Sequence, residues 1–543
     1  MGQLSTEEVL LLNNLMYMND KDPFKNMEDY QGKTLGDLVN DIDTGRFNSD
    51  VDYTTFTNGD EWKNIIESVR SDEKLCNTVI ESTYDDGKGG RSVLFNNTSD
   101  NEAVVVYRGT GSPSEWKDNF QGGSVTDQPD GVSTSQQESA LKWYQSQNLD
   151  KYDSVTVSGH SKGGNKAKYV TIMDDSVDRC LSFDGQGFSD EFVDKYEGKI
   201  AENQHKIHNH NVDGDYVNIL LNDVGDKTYY KGYNYGDGKF LENHCPNTYM
   251  KYDENGNFVL VETSQNQDVQ NLDRFLNSYL RSLPENERKD ALNLIGTMVE
   301  QAKNGSSTND LLKLFTDGNN TDSAAKLLAY FIKYEQQNPE MAESIRNILN
   351  DMGYGEYIKY VDLVENILND KNFDKYMDVV DWVSGKIPDF LLEMISRYIY
   401  KHYKIKLSKD QLRKLLKMIH TVNIQMDQIK IVDNGEDLKV KDAVHDSDGN
   451  SAGGHCTFGV KTGILKNISG NISNQRNELV QMAEEIASVR EKMGFHYAGL
   501  IGAMIAQEQQ IHKYGEYCEQ LGKSLLEISE KYETTEKKIC QNP

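Results

Sequence analysis

The hydrophobic pattern of the chain changes character twice. Through the first stretch, short β-branched or continuous apolar runs alternate with segments of helical period. Ser92-Val93-Leu94-Phe95 and Ala103-Val104-Val105-Val106-Tyr107 read as strands, and Ser135 to Gln147 reads as a helix. Ser154-Val155-Thr156-Val157-Ser158 is an alternating strand, and Cys180-Leu181-Ser182-Phe183-Asp184 a buried one. Lys206 to Leu221 holds a further strand, and Asn257-Phe258-Val259-Leu260-Val261 closes a late hairpin after Asp253-Glu254-Asn255-Gly256. Strand–helix alternation of this kind predicts an α/β fold, a largely parallel sheet with helices on its faces.

From Ser264 to Gln428 the period becomes helical. Helices are predicted over Asn271–Leu283, Arg288–Lys303, Ser323–Gln337, Glu340–Met352, Tyr357–Leu368 and Asp410–Val422, punctuated by Pro284, Gly305, Pro339 and Gly353. The plain expectation is an all-α region that packs its own core, with part of it available as a cap over a site in the first domain. Residues 429–459 form a polar, Gly/Asp-rich junction. Asp446-Ser447-Asp448-Gly449-Asn450 there lacks the distal glutamate of a calcium loop and reads as an ordinary loop. In the last segment, Ile464, Ile468, Ile472, Gln475, Leu479, Met482, Ile486, Val489 and Met493 make a heptad-like seam. A second seam runs through Ile501, Ile505, Ile511, Cys518, Leu525, Ile528, Tyr532 and Ile539, with Gly494–Gly499 as the bend between them. Two long antiparallel helices follow, and their exposed stripe calls for a partner. The domains expected are therefore 1–262, 263–428, the junction 429–459 and the helical hairpin 460–543.

The 543 residues carry a net charge of −29, which repels nucleic acid and anionic headgroups at long range. A lipid substrate would thus be met by a local apolar surface. The six cysteines have no C-x-x-C spacing, which points to a reduced folding compartment without a disulfide scaffold or a zinc site. Met1 to Glu8 lacks a basic n-region and reads as a helix start, with Ser5 as N-cap and Glu8 three residues on. A cleavable signal peptide is not expected, and no run approaches the ~20 apolar residues of a membrane span.

The chemistry centres on Gly159-His160-Ser161-Lys162-Gly163, a G-x-S-x-G between the predicted strand at 154–158 and a predicted helix starting at Gly164. Strand, sharp turn and helix is the setting of a nucleophile elbow. A serine nucleophile needs a base and an orienting acid, which follow it in α/β-hydrolase order. Among His205, His208, His210 and His244, the last sits in a loop near the domain's end, where a base is carried. For the acid, strand-end position favours Asp215, with Asp213 and Asp184 as alternatives. His205, His208, His210 and Asp213 form a possible metal set, but without H-E-x-x-H no metal and no cofactor is expected. The backbone N–H of Lys162 would stabilise an oxyanion, and a second donor is expected from the turn Tyr107-Arg108-Gly109-Thr110-Gly111-Ser112.

Tyr107-Arg108-Gly109-Thr110, with Trp116 six residues on, resembles the (F/Y)-R-G-(S/T)…W segment of class 3 lipases, and Gly159–Gly163 is similar to their G-H-S-x-G elbow. Asp215-Tyr216-Val217 resembles the family's D-x-V acid motif, although the proline that usually follows is absent. The resemblance covers roughly residues 1–262. It implies a lipase-like hydrolase with Ser161, Asp215 and His244 as triad, oxyanion donors at Lys162 and Thr110, and Trp116 in a lid. The C-terminal hairpin, with Tyr497-Ala498-Gly499 at its bend and Tyr532-Glu533-Thr534-Thr535-Glu536 matching Y-x-x-x-(D/E), resembles LXG and WXG secretion domains, placed last in the chain and not first. That likeness implies a type VII secreted lipase or phospholipase A1, made in the cytoplasm of a Gram-positive bacterium as an antibacterial or virulence effector. It further implies phospholipid or glycerolipid substrates, small helical-hairpin partner proteins and an immunity protein, while the net charge of −29 argues against a nucleic-acid partner; a small-ester or thioester serine hydrolase and a non-enzymatic secreted interaction protein are the alternative readings.

Overall fold

The computed structural model describes residues 2–431 apart from 20, 55–56, 88–89, 111–121, 123–125, 127, 234–238, 255–257, 304–320, 371–388 and 429–430, together with 476, 477, 480, 519, 523 and 526. The chain divides into two units, Met1–Val444 and His445–Pro543. The seams, the bend and the Asp446–Asn450 loop lie outside the described residues but for isolated positions. Among those, Arg476 Nε donates to Glu519 Oε2 at 3.1 Å.

Eight strands form the central sheet: β1 (Val79–Asp85), β2 (Arg91–Asn97), β3 (Glu102–Tyr107), β4 (Ser154–His160), β5 (Arg179–Phe183), β6 (Ile207–Val212), β7 (Asp226–Tyr230) and β8 (Glu262–Thr263). They lie side by side in chain order. β3 to β7 run parallel, with Val105 opposite Val157 and Val157 opposite Cys180, while β1 and β2 at one edge and β8 at the other are antiparallel. This is an α/β-hydrolase-like fold with a helical region after it. The hairpin expected near 257–261 forms between Lys251–Tyr252 and Phe258–Val259, as a separate two-stranded sheet.

Successive side chains of a strand point to opposite faces, and β3 shows the consequence. Val104 and Val106 join one apolar cluster, with Leu10 and Leu12 of α1 (Thr6–Leu15) and Trp62, Ile65 and Ile66 of α2 (Gly59–Ser71). Ala103, Val105 and Tyr107 join another, with Ala140, Trp143 and Tyr144 of α3 (Ser135–Ser146) and Ala167, Tyr169 and Val170 of α4 (Lys162–Met173). A strand buried on both faces has to be continuously apolar, which is why residues 103–107 carry no polar side chain in their interior. The start of α1 is closed by a capping box, Glu8 N to Ser5 Oγ at 3.2 Å and Ser5 N to Glu8 Oε2 at 2.5 Å.

Among the described residues, seven helices follow the sheet: α5 (Gln267–Ser282), α6 (Glu285–Lys303), α7 (Thr321–Gln337), α8 (Pro339–Asp351), α9 (Gly355–Leu368), α10 (Asp389–Tyr403) and α11 (Lys409–Gln428). Asn266 caps α5 by accepting from Asp268 N and Val269 N, and α8 begins with Pro339, whose missing N–H costs nothing in a first turn. On α5, Val269, Phe275, Leu276, Tyr279 and Leu280 recur at helical spacing and are buried. The core they enter does not stop at the end of the sheet domain. One continuous cluster holds Phe275, Leu292, Leu328 and Ile348 together with Tyr216, Val217 and Phe240, which come from the loops after β6 and β7.

Candidate active site

Ser161 sits where β4 ends and α4 begins, at the carboxyl edge of the parallel strands. Its backbone has φ +61° and ψ −127°, a conformation that costs a non-glycine residue of order 1–3 kcal/mol. The surroundings impose it: Ser161 N donates to Phe183 O at 2.9 Å, and Asn165 N returns to Ser161 O at 3.2 Å to open the helix. The flanking glycines answer a steric demand. A Cβ on Gly159 would lie 2.0 Å from the carbonyl carbon of Gly163, and one on Gly163 would lie 2.0 Å from Tyr107 O. Ser161 is the N-cap of α4 yet makes no side-chain cap, because its hydroxyl is engaged elsewhere.

That engagement is with His244, whose Nε2 is 2.7 Å from Ser161 Oγ. His244 ends a short 3-10 turn, Phe240–His244, in the loop after β7. Its Nδ1 lies 2.8 Å from Asp215 Oδ1. Asp215 is fully buried, and its second oxygen accepts from Val217 N at 3.0 Å and Asn218 N at 2.8 Å. The carboxylate is thus locked by backbone donors and offers one lone-pair face to the imidazole, which fixes the ring with Nδ1 protonated and Nε2 free to accept from the serine. Serine, imidazole and carboxylate form one hydrogen-bonded line.

The other candidate acids are placed differently. Asp213 accepts from Gly232 N at 3.0 Å. Asp184, at the end of β5 and fully buried, accepts from Val212 N at 2.8 Å and from Asn218 Nδ2 at 3.0 Å through Oδ1. Its Oδ2 is 2.6 Å from Tyr249 Oη, and that same hydroxyl is 2.7 Å from His210 O. A carbonyl can only accept, so the single tyrosine proton goes to His210 O, and Asp184 must supply the proton of the other contact. Asp184 is therefore the neutral member of the pair. Burial and then the charge of Asp215 push its carboxyl well above the usual range, and two carboxylates in one dry site do not both ionise.

Of the remaining histidines, His208 Nδ1 pairs with Asp226 at 2.9 Å, and His210 Nδ1 lies 3.1 Å from Tyr230 Oη with burial lowering it to about 4. Two residues at the site were not singled out from the sequence for any role there. His160 is buried, its ring 4.9 Å from that of His244, and its Nδ1 meets Tyr17 Oη at 2.7 Å. Burial, then the neighbouring His244, holds His160 well below the ordinary histidine value, so it stays neutral. Tyr17 lies just past the C-terminus of α1, and no sequence signal connects it to a site 144 residues away.

The predicted oxyanion donors are placed in part. Lys162 N opens α4, at the partially positive start of the helix. The turn after β3 comes up against Ser161: a Cβ built on Gly109 would lie 3.0 Å from the Ser161 Cβ, and Thr110 is the next residue. Gly111, Ser112 and Trp116 lie outside the described residues.

A cavity of about 160 Å³ reaches Ser161. Beside Ser161, Lys162 and Gln186 it is lined by Tyr216, Val217, Leu220 and Phe240, and then by α5 to α9. Among the described residues, no group of three or more His, Cys, Asp or Glu side chains is arranged to hold a metal ion, and no helix is long and apolar enough to cross a membrane.

Residues 88–296 match the family described as Mbeg1-like. No curated protein matches the chain. Among solved structures it is similar to the Lip2 lipase of Yarrowia lipolytica, with 11% identity over 35% of this chain and 73% of that one and a TM-score of 0.22. A triacylglycerol lipase from Penicillium expansum is 13% identical over 28% of this chain and 70% of that one, also at 0.22. The lipase–propeptide complex of Rhizomucor miehei is 14% identical, and the chain spans 28% of itself and 57% of that chain at 0.22.

Proposed function

We propose that this protein is a serine-dependent carboxylic ester hydrolase that acts on lipids, a lipase or phospholipase A1. The observation that carries the reading is the unbroken line Asp215–His244–Ser161 with the serine on a positive-φ turn. A structural serine has no need of that strain, whereas a nucleophile that must stand clear of both strand and helix does.

Ser161 Oγ attacks the ester carbonyl as its proton passes to His244 Nε2. Asp215 holds the ring's tautomer and balances the imidazolium charge. Lys162 N–H, with Thr110 N–H as the second donor, takes the negative charge on the carbonyl oxygen. Collapse of the tetrahedral intermediate breaks the bond to the alcohol, which leaves with the proton from His244. Water, deprotonated by the same imidazole, then frees the acyl group and restores the serine.

The sequence likeness of residues 460–543 to LXG and WXG domains supports export through a type VII system as an effector, with small helical-hairpin partners and an immunity protein. The test of the core reading is release of fatty acid from mixed phospholipid and triacylglycerol micelles by the full chain beside Ser161→Ala. Loss of release with a native fold is expected. Near-full release from Ser161→Ala would overturn the mechanism, and the lysolipid left by the unaltered chain gives the position cleaved.

A further inference from the structure

We propose that helices α5 to α9 are the walls of a binding site for one long unbranched acyl chain, so that the helical region takes part in the substrate site beyond packing its own core. The proposal rests on reading Ser161 as an ester nucleophile and adds what that serine is offered. Eighteen of the twenty-five residues that line the cavity at Ser161 come from residues 272–361, and each of the five helices contributes. Phe275 and Leu276, Leu292 and Gly296, Leu328, and Ile348 are typical of the lining.

The chemistry of the lining selects the occupant. Its polar side chains are Ser161, Lys162, Gln186, Tyr216 and Arg346. Gln186 is beside the serine's helix, since its carbonyl accepts from Asn165 Nδ2 at 3.2 Å. Arg346 stands on α8, and its guanidinium is already held by Glu335 at 2.7 and 2.8 Å and by Asp362 at 2.7 Å, above the ring of Phe331. A cation saturated by two carboxylates does not recruit a phosphate or carboxylate headgroup. A headgroup placed among the leucines would lose its water without replacement, whereas methylene groups gain by leaving water. The acyl chain therefore enters, its carbonyl stays at Ser161, and the alcohol side of the ester remains outside.

Chain-length dependence tests this with the full chain and p-nitrophenyl esters from acetate to palmitate. kcat/KM should climb with length, by up to about fourfold per added methylene, until the cavity is filled. Gly296→Phe should fill it; replacing a helical glycine carries no loss of helix propensity. The ratio of palmitate to butyrate turnover should then fall by about tenfold or more. Butyrate turnover also controls for folding, and where Gly296→Phe loses it, Ile348→Phe decides. Flat chain-length dependence, or a preference for palmitate that survives both substitutions, overturns the proposal. An independent arm measures palmitate binding to Ser161→Ala by displacement of a fluorescent fatty acid, with and without Gly296→Phe. Binding that Gly296→Phe weakens at least tenfold, without hydrolysis of any ester by the unaltered chain, leaves the cavity standing and removes the esterase reading. Serine-dependent hydrolysis with no palmitate binding does the reverse. Acyl thioesters run in parallel separate the two sources of such a chain.

Discussion

Asn218 ties Asp184 to Asp215: its side-chain amide donates to Asp184 Oδ1 at 3.0 Å, and its backbone N–H to Asp215 Oδ2 at 2.8 Å. One residue thus orients both buried carboxyls, and it leaves only Asp215 facing His244. The neutral Asp184 spares the site a second negative charge that would compete for the imidazolium. The pair behaves as one anion with a fixed address.

Asp184→Asn follows from this. Asparagine keeps an oxygen for Val212 N and Asn218 and presents an N–H to Tyr249, as the protonated acid does. The folded-state value of Asp184 is raised above its ordinary value of 3.8. Its contribution to stability is therefore complete below about pH 4 and is lost as pH rises toward its folded value, at up to about 1.4 kcal/mol per pH unit. The substituted protein has no such loss. It should match the unaltered chain in urea unfolding at pH 4, exceed it by about 1 kcal/mol or more at pH 8, and keep most of its esterase activity. A variant that loses ground at pH 8 relative to pH 4 contradicts the protonated assignment.

Asp215→Asn should behave in the opposite way. The amide turns an N–H toward His244 Nδ1 and selects the tautomer with the proton on Nε2, which cannot accept from Ser161. A fall in kcat of about 10⁴ is expected on a soluble butyrate ester, with the fold intact. Asp213→Asn, whose carboxylate serves Gly232 N, should stay within about threefold on the same assay. A large loss at Asp213 and a small one at Asp215 would reverse the acid assignment.

Gly163→Ala addresses the elbow. The new methyl would meet Tyr107 O at 2.0 Å, backbone that cannot swing aside, so β3 and α4 must part. A loss of about 1–3 kcal/mol in urea unfolding is expected, with slower covalent labelling of Ser161 by a fluorophosphonate. Unchanged labelling and stability would show that the close approach is not required.

Lys168 and Asp223 form an ion pair with side chains 0% and 2% exposed, and Lys168 Nζ also donates to Gly185 O at 3.1 Å. Lys168→Met leaves the buried carboxylate with Lys227 Nζ, 3.9 Å from its Oδ2, as the remaining cation, and should cost about 3 kcal/mol in thermal or urea unfolding. Lys168→Met with Asp223→Leu should recover most of it. A double variant no more stable than the single one would mean that the pair itself, and not the orphaned charge, holds the loop.

Much of the site was legible before any coordinates. G-x-S-x-G between a β-branched run and a helix start can be read locally, because strand, turn and nucleophile are contiguous in sequence. The same holds for the buried strand 103–107, for the Ser5–Glu8 cap, and for six of the helices described between 264 and 428, whose expected bounds lie within a few residues of those observed except at the end of the last; α10 (Asp389–Tyr403) is not among the expected helices. What escaped was held by distant partners. β7, Asp226-Lys227-Thr228-Tyr229-Tyr230, opens on two charged residues and is too short to show a period by itself; it is a strand through its parallel pairing with β6. β1 is a half-exposed strand with weak alternation, defined by its pairing with β2. Tyr17, Asn218 and Tyr249 carry no motif at all.

The sequence by itself determined the fold class and the chemical type of the candidate site, since periodicity, β-branching and the glycines of the elbow act over a few neighbouring residues. Only the tertiary structure decided which acid faces His244, that Asp184 keeps its proton, and that five helices after the sheet enclose a cavity reaching Ser161. Those outcomes depend on which groups burial places within about 3 Å of one another. Hydrogen-bond direction, desolvation and cavity shape are properties of that arrangement, and residues far apart in the chain supply them.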